Sequence, residues 1–296
     1  MFDKEKFTEV VSKFVSMTGK ILPDDIQEKL QELSDKETGP LAKIVYGCYK
    51  KNQDLAKELN RPSCQDTGVV NFYIKAGENF PGLGGVDDCL KEAVERATRE
   101  APLRHNAVSI FDEKNTGTNT GERDPFIYWE IVPNSDKLNL RSYMSGGGCS
   151  LPGRAITLMP SAGYEAVIKY VFDTVVDWGI NACPPLLIGI GIAGSVENAA
   201  VLSKKALLRP LSERNHNPKG AKLELELEEG LNKLGLGPQG ITGDSTVMGV
   251  HIETAARHPS TISIAINIGC WSHRWGEIVF DKDLNYEILT HKGARL

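Results

Sequence analysis

Six cysteines are spread along the 296 residues of this chain, at positions 48, 64, 89, 149, 183 and 270. None forms a C-x-x-C pair, which excludes zinc ribbons, thioredoxin-like motifs and bacterial ferredoxin runs. Six are also too few for a disulfide-dense secreted fold of this length, so we expect reduced thiols. If these cysteines bind one common group, the fold must gather them from distant segments.

The composition is that of an ordinary globular protein, with 41% hydrophobic and 25% charged residues. A formal net charge of -5 provides no basic surface, so nucleic acids and anionic membranes are not expected partners. The chain contains no run of about eighteen apolar residues, and it begins MFDKEKFTEVV, which is not a secretory leader. We therefore expect a cytoplasmic protein.

Apolar periodicity predicts a mixed α/β fold, with N-terminal helices followed by a mixed sheet and flanking helices. In the third helix, Cys48 is in register with Ile44 and Val45, which indicates a core position. A short helix is expected to end at Arg257–Pro259. The remaining helices are predicted near 87–97, 164–178, 195–208 and 223–234, and the main strands near 69–74, 125–133, 138–144, 186–190, 247–252 and 262–268.

A literal G-x-G-x-x-G occupies residues 189–194 and precedes a predicted helix, as in dinucleotide-binding folds. That fingerprint requires a second parallel strand ending in an acidic residue about twenty positions later. Residues 212–218 read SERNHNP there, which is polar and turn-like. A dinucleotide-dependent oxidoreductase is therefore the weaker interpretation.

The stretch RPSCQDTG at 61–68 places Cys64, Gln65, Asp66 and Thr67 side by side. Its proline, serine, aspartate and glycine predict an exposed loop between a helix and a strand. Loops on such scaffolds often carry functional residues. An ordinary turn with an inward-packed cysteine is the alternative.

Two further segments carry polar or conformationally special residues. Arg104, in PLRHNA, is of the type that grips a carboxylate with two parallel hydrogen bonds, although a structural ion pair is equally compatible. The glycines at 146–148 suggest a backbone that approaches a ligand closely, or alternatively a hinge.

Cys64, Cys183 and Cys270 share a context, because each stands at a strand border among proline or glycine. Three thiolates could hold a cubane iron-sulfur cluster and leave one iron open as a Lewis acid. A regulatory or scaffold protein could carry such a cluster too, but it would not need the polar residues Asp66, Arg104 and His258.

The segments CQDTG, PLRHNA, NTGTNTG, GGGC, NACPP, GPQGITG, AARHPST and GCWSHRWGE occur here in one order. Together they resemble the α subunit of the iron-sulfur dependent hydro-lyases that include class I fumarases and L(+)-tartrate dehydratase. The detail of these segments is closer to the tartrate dehydratase branch. The resemblance implies one catalytic α-subunit domain over 1–296, with the cluster ligands on loops at strand ends.

Carried over residue by residue, the resemblance implies a 4Fe-4S cluster on Cys64, Cys183 and Cys270 with one open iron. It implies substrate binding by Gln65, Arg104 and Gly147, and catalytic roles for Asp66 and His258. Single-chain relatives continue into a further catalytic domain, so a separate β subunit is expected, in an α2β2 heterotetramer.

The activity implied by the resemblance is dehydration of a small dicarboxylate, L(+)-tartrate to oxaloacetate, with fumarate and L-malate interconversion as the alternative. The two substrates differ in one hydroxyl, and a site built to bind that hydroxyl rejects the analogue without it. His105, Asn106 and His273 are polar candidates for this contact, and each could equally be structural.

Overall fold

The computed structural model describes residues 2–296 and confirms the mixed α/β class. The chain forms two compact units, each assembled from separated segments. The first unit contains the chain up to Asp24, then Lys51–Gly146 and Arg274–Leu296; the second contains Asp25–Lys50 and Gly147–His273. Among the described residues, no helix is both long and apolar enough to cross a membrane.

The helices are α1 Lys4–Lys20, α2 Asp24–Lys36, α3 Pro40–Glu58, α4 Val86–Glu100, α5 Gly147–Ser150, α6 Gly163–Trp178, α7 Val196–Leu207 and α8 Pro218–Asn232. The strands are β1 Val69–Gly77, β2 Val108–Ser109, β3 Lys114–Asn115, β4 Phe126–Val132, β5 Leu138–Ser145, β6 Arg154–Leu158, β7 Leu186–Ala193, β8 Val247–Thr254, β9 Ile262–Gly269, β10 Trp275–Phe280 and β11 Tyr286–Ile288.

The first unit is built on a five-stranded mixed sheet with the strand order β11-β10-β5-β1-β4. β1 lies inside this sheet, parallel to β4 and antiparallel to β5. Apolar side chains of α1, α4 and β1 share one core, in which Phe7, Phe72 and Leu90 have no exposed surface. Each such side chain contributes about 2 to 3 kcal/mol on burial, which stabilises the sheet that carries the Cys64 loop.

The second unit is built on a four-stranded mixed sheet with the order β6-β9-β7-β8. All eight residues of β7 are buried, as the run LLIGIGIA predicts for a strand covered on both faces. β7 is parallel to β8 and antiparallel to β9. The ends of these three strands therefore define two opposite edges of the sheet, on which the candidate residues lie.

The G-x-G-x-x-G motif has a packing role in this sheet. Gly189 and Gly191 lie within β7 itself, facing the backbone of α7. A Cβ atom at Gly191 would overlap the carbonyl oxygen of Ala199, and one at Gly189 would overlap that of Ser203. Glycine thus lets α7 pack directly on the strand, which accounts for the motif without a nucleotide.

Two local expectations are wrong. Cys48 is exposed rather than in the core, because α3 turns Tyr46 and Tyr49 inward and leaves Ile44 62% exposed. Tyr49 is fixed in that orientation by its hydroxyl, which donates to Pro184 O at 2.9 Å. The short helix expected before Arg257 is absent, because β8 continues to Thr254 and a loop follows it.

Candidate active site

The loop that carries Cys64 is anchored to two helices of the first unit. The Ser63 backbone N–H donates to Gly19 O in α1 at 3.0 Å, and Asn52 Nδ2 in α3 donates to Ser63 O at 2.6 Å. Cys64 is half-buried and Gln65 is exposed. The Cys64 thiol and the Gln65 amide therefore lie near solvent on a loop whose backbone is fixed by hydrogen bonds. This agrees with the predicted exposed loop between a helix and a strand.

The Asp66 carboxylate is held within the same loop. Its Oδ1 accepts from the Gly68 N–H at 3.1 Å and from Asn106 Nδ2 at 3.4 Å. A Cβ atom at Gly146 would lie 2.8 Å from Asp66 Oδ2. A glycine is therefore needed at position 146, because any side chain there would occupy the space of the Asp66 carboxylate.

Arg104 is attached to this loop through its backbone. Its N–H donates to Thr67 Oγ1 at 3.0 Å, and its carbonyl accepts from Asn119 Nδ2 at 2.9 Å. The buried Asn119 also accepts from the Asn106 N–H at 2.5 Å, so one side chain ties both residues down. Within the described chain, no ion pair involves the exposed Arg104 guanidinium, which contradicts the structural ion pair that the sequence left open.

An open depression of about 580 Å³ lies next to Arg104 in the first unit. Leu103, His105, Asn115 and Gly117 complete its lining. Asn115 Nδ2 donates to His105 O at 2.5 Å, which fixes the backbone beside the guanidinium. A guanidinium placed at the rim of such a depression can bind a carboxylate through two parallel hydrogen bonds.

In the second unit, Cys183 and Cys270 lie on adjacent loops at one edge of the sheet. Cys183 precedes β7 in a left-handed conformation (φ 54°), and Cys270 directly follows β9. The Trp271 N–H donates to Cys183 O at 3.1 Å, which joins the two loops. Burial raises the pKa of Tyr49, whose ring stacks on Trp271 at 4.1 Å.

Gly147 and Gly148 begin the short helix α5 beside the loop that precedes Cys183. A Cβ atom at Gly148 would lie 2.6 Å from Asn181 O, so only glycine permits this approach. Cys149 is buried next to Lys204, whose pKa burial lowers to about 8. Gly147 therefore lies on a backbone that packs closely against the Cys183 loop.

His258 lies on the loop between β8 and β9, and hydrogen bonds fix that loop. The Ser260 N–H donates to His258 Nδ1 at 3.1 Å, so in the neutral ring the hydrogen is on Nε2. Arg257 Nη1 donates to the carbonyl oxygens of His258, Pro259 and Thr261 at 3.0, 3.3 and 3.2 Å.

His258 and the two cysteines of the second unit lie at opposite edges of its sheet. A Cβ atom at Gly194, just beyond the end of β7, would lie 3.3 Å from His258 N, whereas Cys183 precedes the start of β7. The pairs Leu187 with Gly269 and Ala193 with Ser263 are six residues apart along β7, which corresponds to about 20 Å. One bound dicarboxylate cannot contact both ends within the same chain.

The positions of the thiols limit which of them could hold a common cluster. Within residues 2–296, no three His, Cys, Asp or Glu side chains are grouped so that they could hold a metal ion. Cys183 and Cys270 nevertheless fit two positions of a thiolate ligand set, because the Trp271 hydrogen bond joins their loops. Cys64 belongs to the other unit.

Several residues that shape these loops were not identified from the sequence. Asn119, Tyr49 and Arg257 were missed, and Asn106 was considered only as a substrate contact. The repeat NTGTNTG was a usable signal for Asn119, because asparagine tolerates the left-handed conformation (φ 59°) that it adopts here. His273 is buried with Nε2 2.8 Å from Leu207 O, which indicates a structural role, whereas His105 is exposed.

A protein-family model described as fumarate hydratase (Fumerase) matches residues 8–279. The chain belongs to this family. It is 55% identical over 98% of its length to the L(+)-tartrate dehydratase subunit alpha of Escherichia coli K12, covering 96% of that protein. The Shigella boydii protein of the same name shows the same identity and coverage, and that of Escherichia coli O157:H7 is 56% identical with the same coverage. This membership makes the chain a hydro-lyase.

Proposed function

We propose that this chain is the α subunit of an L(+)-tartrate dehydratase, which removes water from L(+)-tartrate to give oxaloacetate. The observation that carries the proposal is the 55% identity to subunits of that name along 98% of the chain. The geometry that supports it is the hydrogen bonding of the Asp66 loop to the Arg104 N–H, through Thr67 Oγ1, and to the Asn106 side chain. We further propose that residues 1–296 act as one catalytic domain.

The substrate is a dicarboxylate, and Arg104 is the residue we assign to one of its carboxylates. Its exposed guanidinium borders an open depression, and backbone hydrogen bonds to the side chains of Thr67 and Asn119 fix its main chain. Gln65 and the backbone at Gly147 provide further polar contacts. Such fixed donors orient the substrate before reaction, which removes part of the entropic barrier.

The reaction removes a hydroxyl from one carbon of tartrate and a hydrogen from the next, and the enol that forms rearranges to oxaloacetate. Asp66 is our candidate for proton exchange, because its carboxylate is half-exposed and is held in place by the Gly68 N–H and Asn106 Nδ2. His258 presents Nε2–H as a donor to the substrate. Neighbouring backbone N–H groups hold both side chains in place: that of Gly68 binds Asp66, and that of Ser260 binds His258.

We assign a 4Fe-4S cluster to Cys64, Cys183 and Cys270, with one iron lacking a protein ligand. Such a cluster supplies a Lewis acid for the departing hydroxyl. Serine substitution at each of these three cysteines should abolish the broad iron-sulfur absorbance of anaerobic preparations. Cys48→Ser, Cys89→Ser and Cys149→Ser are the matched controls and should retain it; loss at Cys149 instead would contradict the assignment.

The assembly we propose is an α2β2 heterotetramer. The curated relatives are named subunit alpha, which supports a separate β subunit. The position of His258, about 20 Å from the cysteine edge of its own sheet, supports a second copy of this chain that brings its His258 to the first copy's cysteines.

A class I fumarate hydratase α subunit is the second candidate, and the match to the fumarate hydratase family model favours it. Anaerobic coexpression with a candidate β-subunit gene, followed by kcat/KM measurements for L(+)-tartrate and L-malate, distinguishes the two. We expect tartrate to be preferred by orders of magnitude, because a site that binds the second hydroxyl rejects a substrate lacking it. An equal or higher value for malate would make this chain a fumarase subunit.

A further inference from the structure

A cavity of about 740 Å³ lies in the second unit at the carboxyl ends of β7 and β8. The start of α8 and the segment that follows β8 complete its walls. Open α/β sheets bind ligands at this edge, and the volume is within the range of small-molecule sites. None of the residues assigned above to the substrate or the cluster lines the cavity.

One part of the cavity is apolar. Ile192 and Ile252 come from the ends of the two strands, and Leu223 comes from α8. The ring of Tyr164, which is 59% exposed, also lines the cavity. These groups would contact the hydrocarbon or aromatic body of a ligand. A four-carbon dicarboxylate such as tartrate has no such apolar body.

The other part is cationic. Arg257 and Lys219 line it, and Lys219 lies in the first turn of α8, where the helix dipole adds partial positive charge. Glu226 is the acidic residue of the lining, and its Oε1 lies 3.5 Å from Lys222 Nζ, which offsets its charge. The cavity therefore combines an apolar wall with a net positive wall.

Arg257 is fixed before any ligand binds. Its Nη1 donates to three carbonyl oxygens of the His258 loop, while a guanidinium has five N–H donors in all. The remaining donors can face an anion, and little side-chain entropy is lost when they do. Asn217 Oδ1 fixes the start of α8 in the same way by accepting from the Lys219 N–H at 3.0 Å.

We propose that this cavity binds a small organic anion with an apolar body and a carboxylate, sulfonate or phosphate head. The head group contacts Arg257 and Lys219, and the body packs on Ile192, Ile252 and Leu223. The cavity shares no residue with the proposed tartrate site, and its existence does not depend on the reaction that the chain catalyses.

The test uses the full chain and the fluorescent probe 8-anilinonaphthalene-1-sulfonate, which has a sulfonate head on an aromatic body. Arg257→Gln and Lys219→Gln should each weaken its binding about tenfold, because each removes one charge-assisted contact. Lys233→Gln, which removes a lysine paired with Glu229 just after α8, is the matched control and should bind like the wild type. N-phenyl-1-naphthylamine, which lacks the sulfonate, should bind all four proteins equally.

Unchanged affinity of Arg257→Gln and Lys219→Gln for the sulfonate probe would overturn the proposal. So would equal affinity of the wild type for the charged and uncharged probes, since the site would then be an apolar surface only. Arg257→Gln also removes the carbonyl contacts of its loop, whereas Lys219→Gln keeps the backbone hydrogen bond to Asn217. Lys219→Gln therefore tests the charge even if the other variant folds poorly.

Discussion

At the residue scale, Gly146 determines where the Asp66 carboxylate can lie. Gly146→Ala places a methyl group 2.8 Å from Asp66 Oδ2, and the carboxylate is the flexible partner that must move. We expect kcat/KM of the assembled enzyme to fall at least about tenfold, because misplaced catalytic groups lose rate steeply. Stability should change little, as urea unfolding would show.

Gly84→Ala is the matched control for this substitution. Apart from the local backbone, no heavy atom lies within 4 Å of the added methyl group, and Gly84 is exposed. Activity of this variant should equal that of the wild type. Full activity of Gly146→Ala would show that the position of the Asp66 carboxylate does not matter for the reaction.

Asp124 provides a residue-scale test of pH dependence. Burial raises the pKa of its carboxyl to about 6, and its Oδ1 is buried without a hydrogen-bond partner. A raised folded-state pKa means that the neutral form is favoured in the fold, so stability is highest below the unfolded pKa near 4 and falls as pH rises to about 6.

Asp124→Asn should remove this pH dependence. After allowance for partial exposure, we expect it to raise the free energy of unfolding by about 1 kcal/mol at pH 7.5 and not at pH 4. Urea unfolding at both pH values measures the difference. Asp54→Asn, on the surface of α3, is the control; the same gain at both pH values for Asp124→Asn would refute the explanation.

At the scale of elements, the pairing of β7 with α7 depends on two glycines. Gly191→Ala places a methyl group against the Ala199 carbonyl and 2.6 Å from Ser203 N, and neither backbone atom can move without displacing the helix. We expect a loss of more than about 3 kcal/mol or insoluble protein, at the upper end of overpacking effects.

Gly84→Ala serves again as the control, because its methyl group meets no neighbour. Soluble yield and urea unfolding measure both variants. A stable Gly191→Ala protein would mean that the Ala199 carbonyl does not pack directly against Gly191.

At the scale of the whole molecule, the separation between His258 and the cysteine edge predicts complementation between subunits. His258→Asn and Cys270→Ser should each be inactive when coexpressed with the proposed β subunit. In mixed assemblies, one site of each hybrid pair would combine an intact cysteine edge with an intact His258. Random mixing should therefore restore about a quarter of wild-type activity.

Coexpression of the two variants with the β subunit, followed by anaerobic tartrate assays, checks this outcome. Two copies of the same variant, expressed together in the same way, are the control and should remain inactive. No recovered activity in the mixture, with normal assembly by gel filtration, would mean that His258 does not act at the cysteines of another copy.

The sequence by itself determined the mixed α/β class, most helices and strands, and the family. Apolar periodicity and short motifs depend on residues that are close together in the chain, so they can be read without the tertiary structure. Cys270 after β9 and Cys183 before β7 were placed correctly for this reason. Only the tertiary structure showed that His258 lies at the opposite edge of that sheet, since strand direction and pairing are set by contacts between distant segments. The orientation of α3, which exposes Cys48, was likewise decided by Tyr49 packing on Trp271.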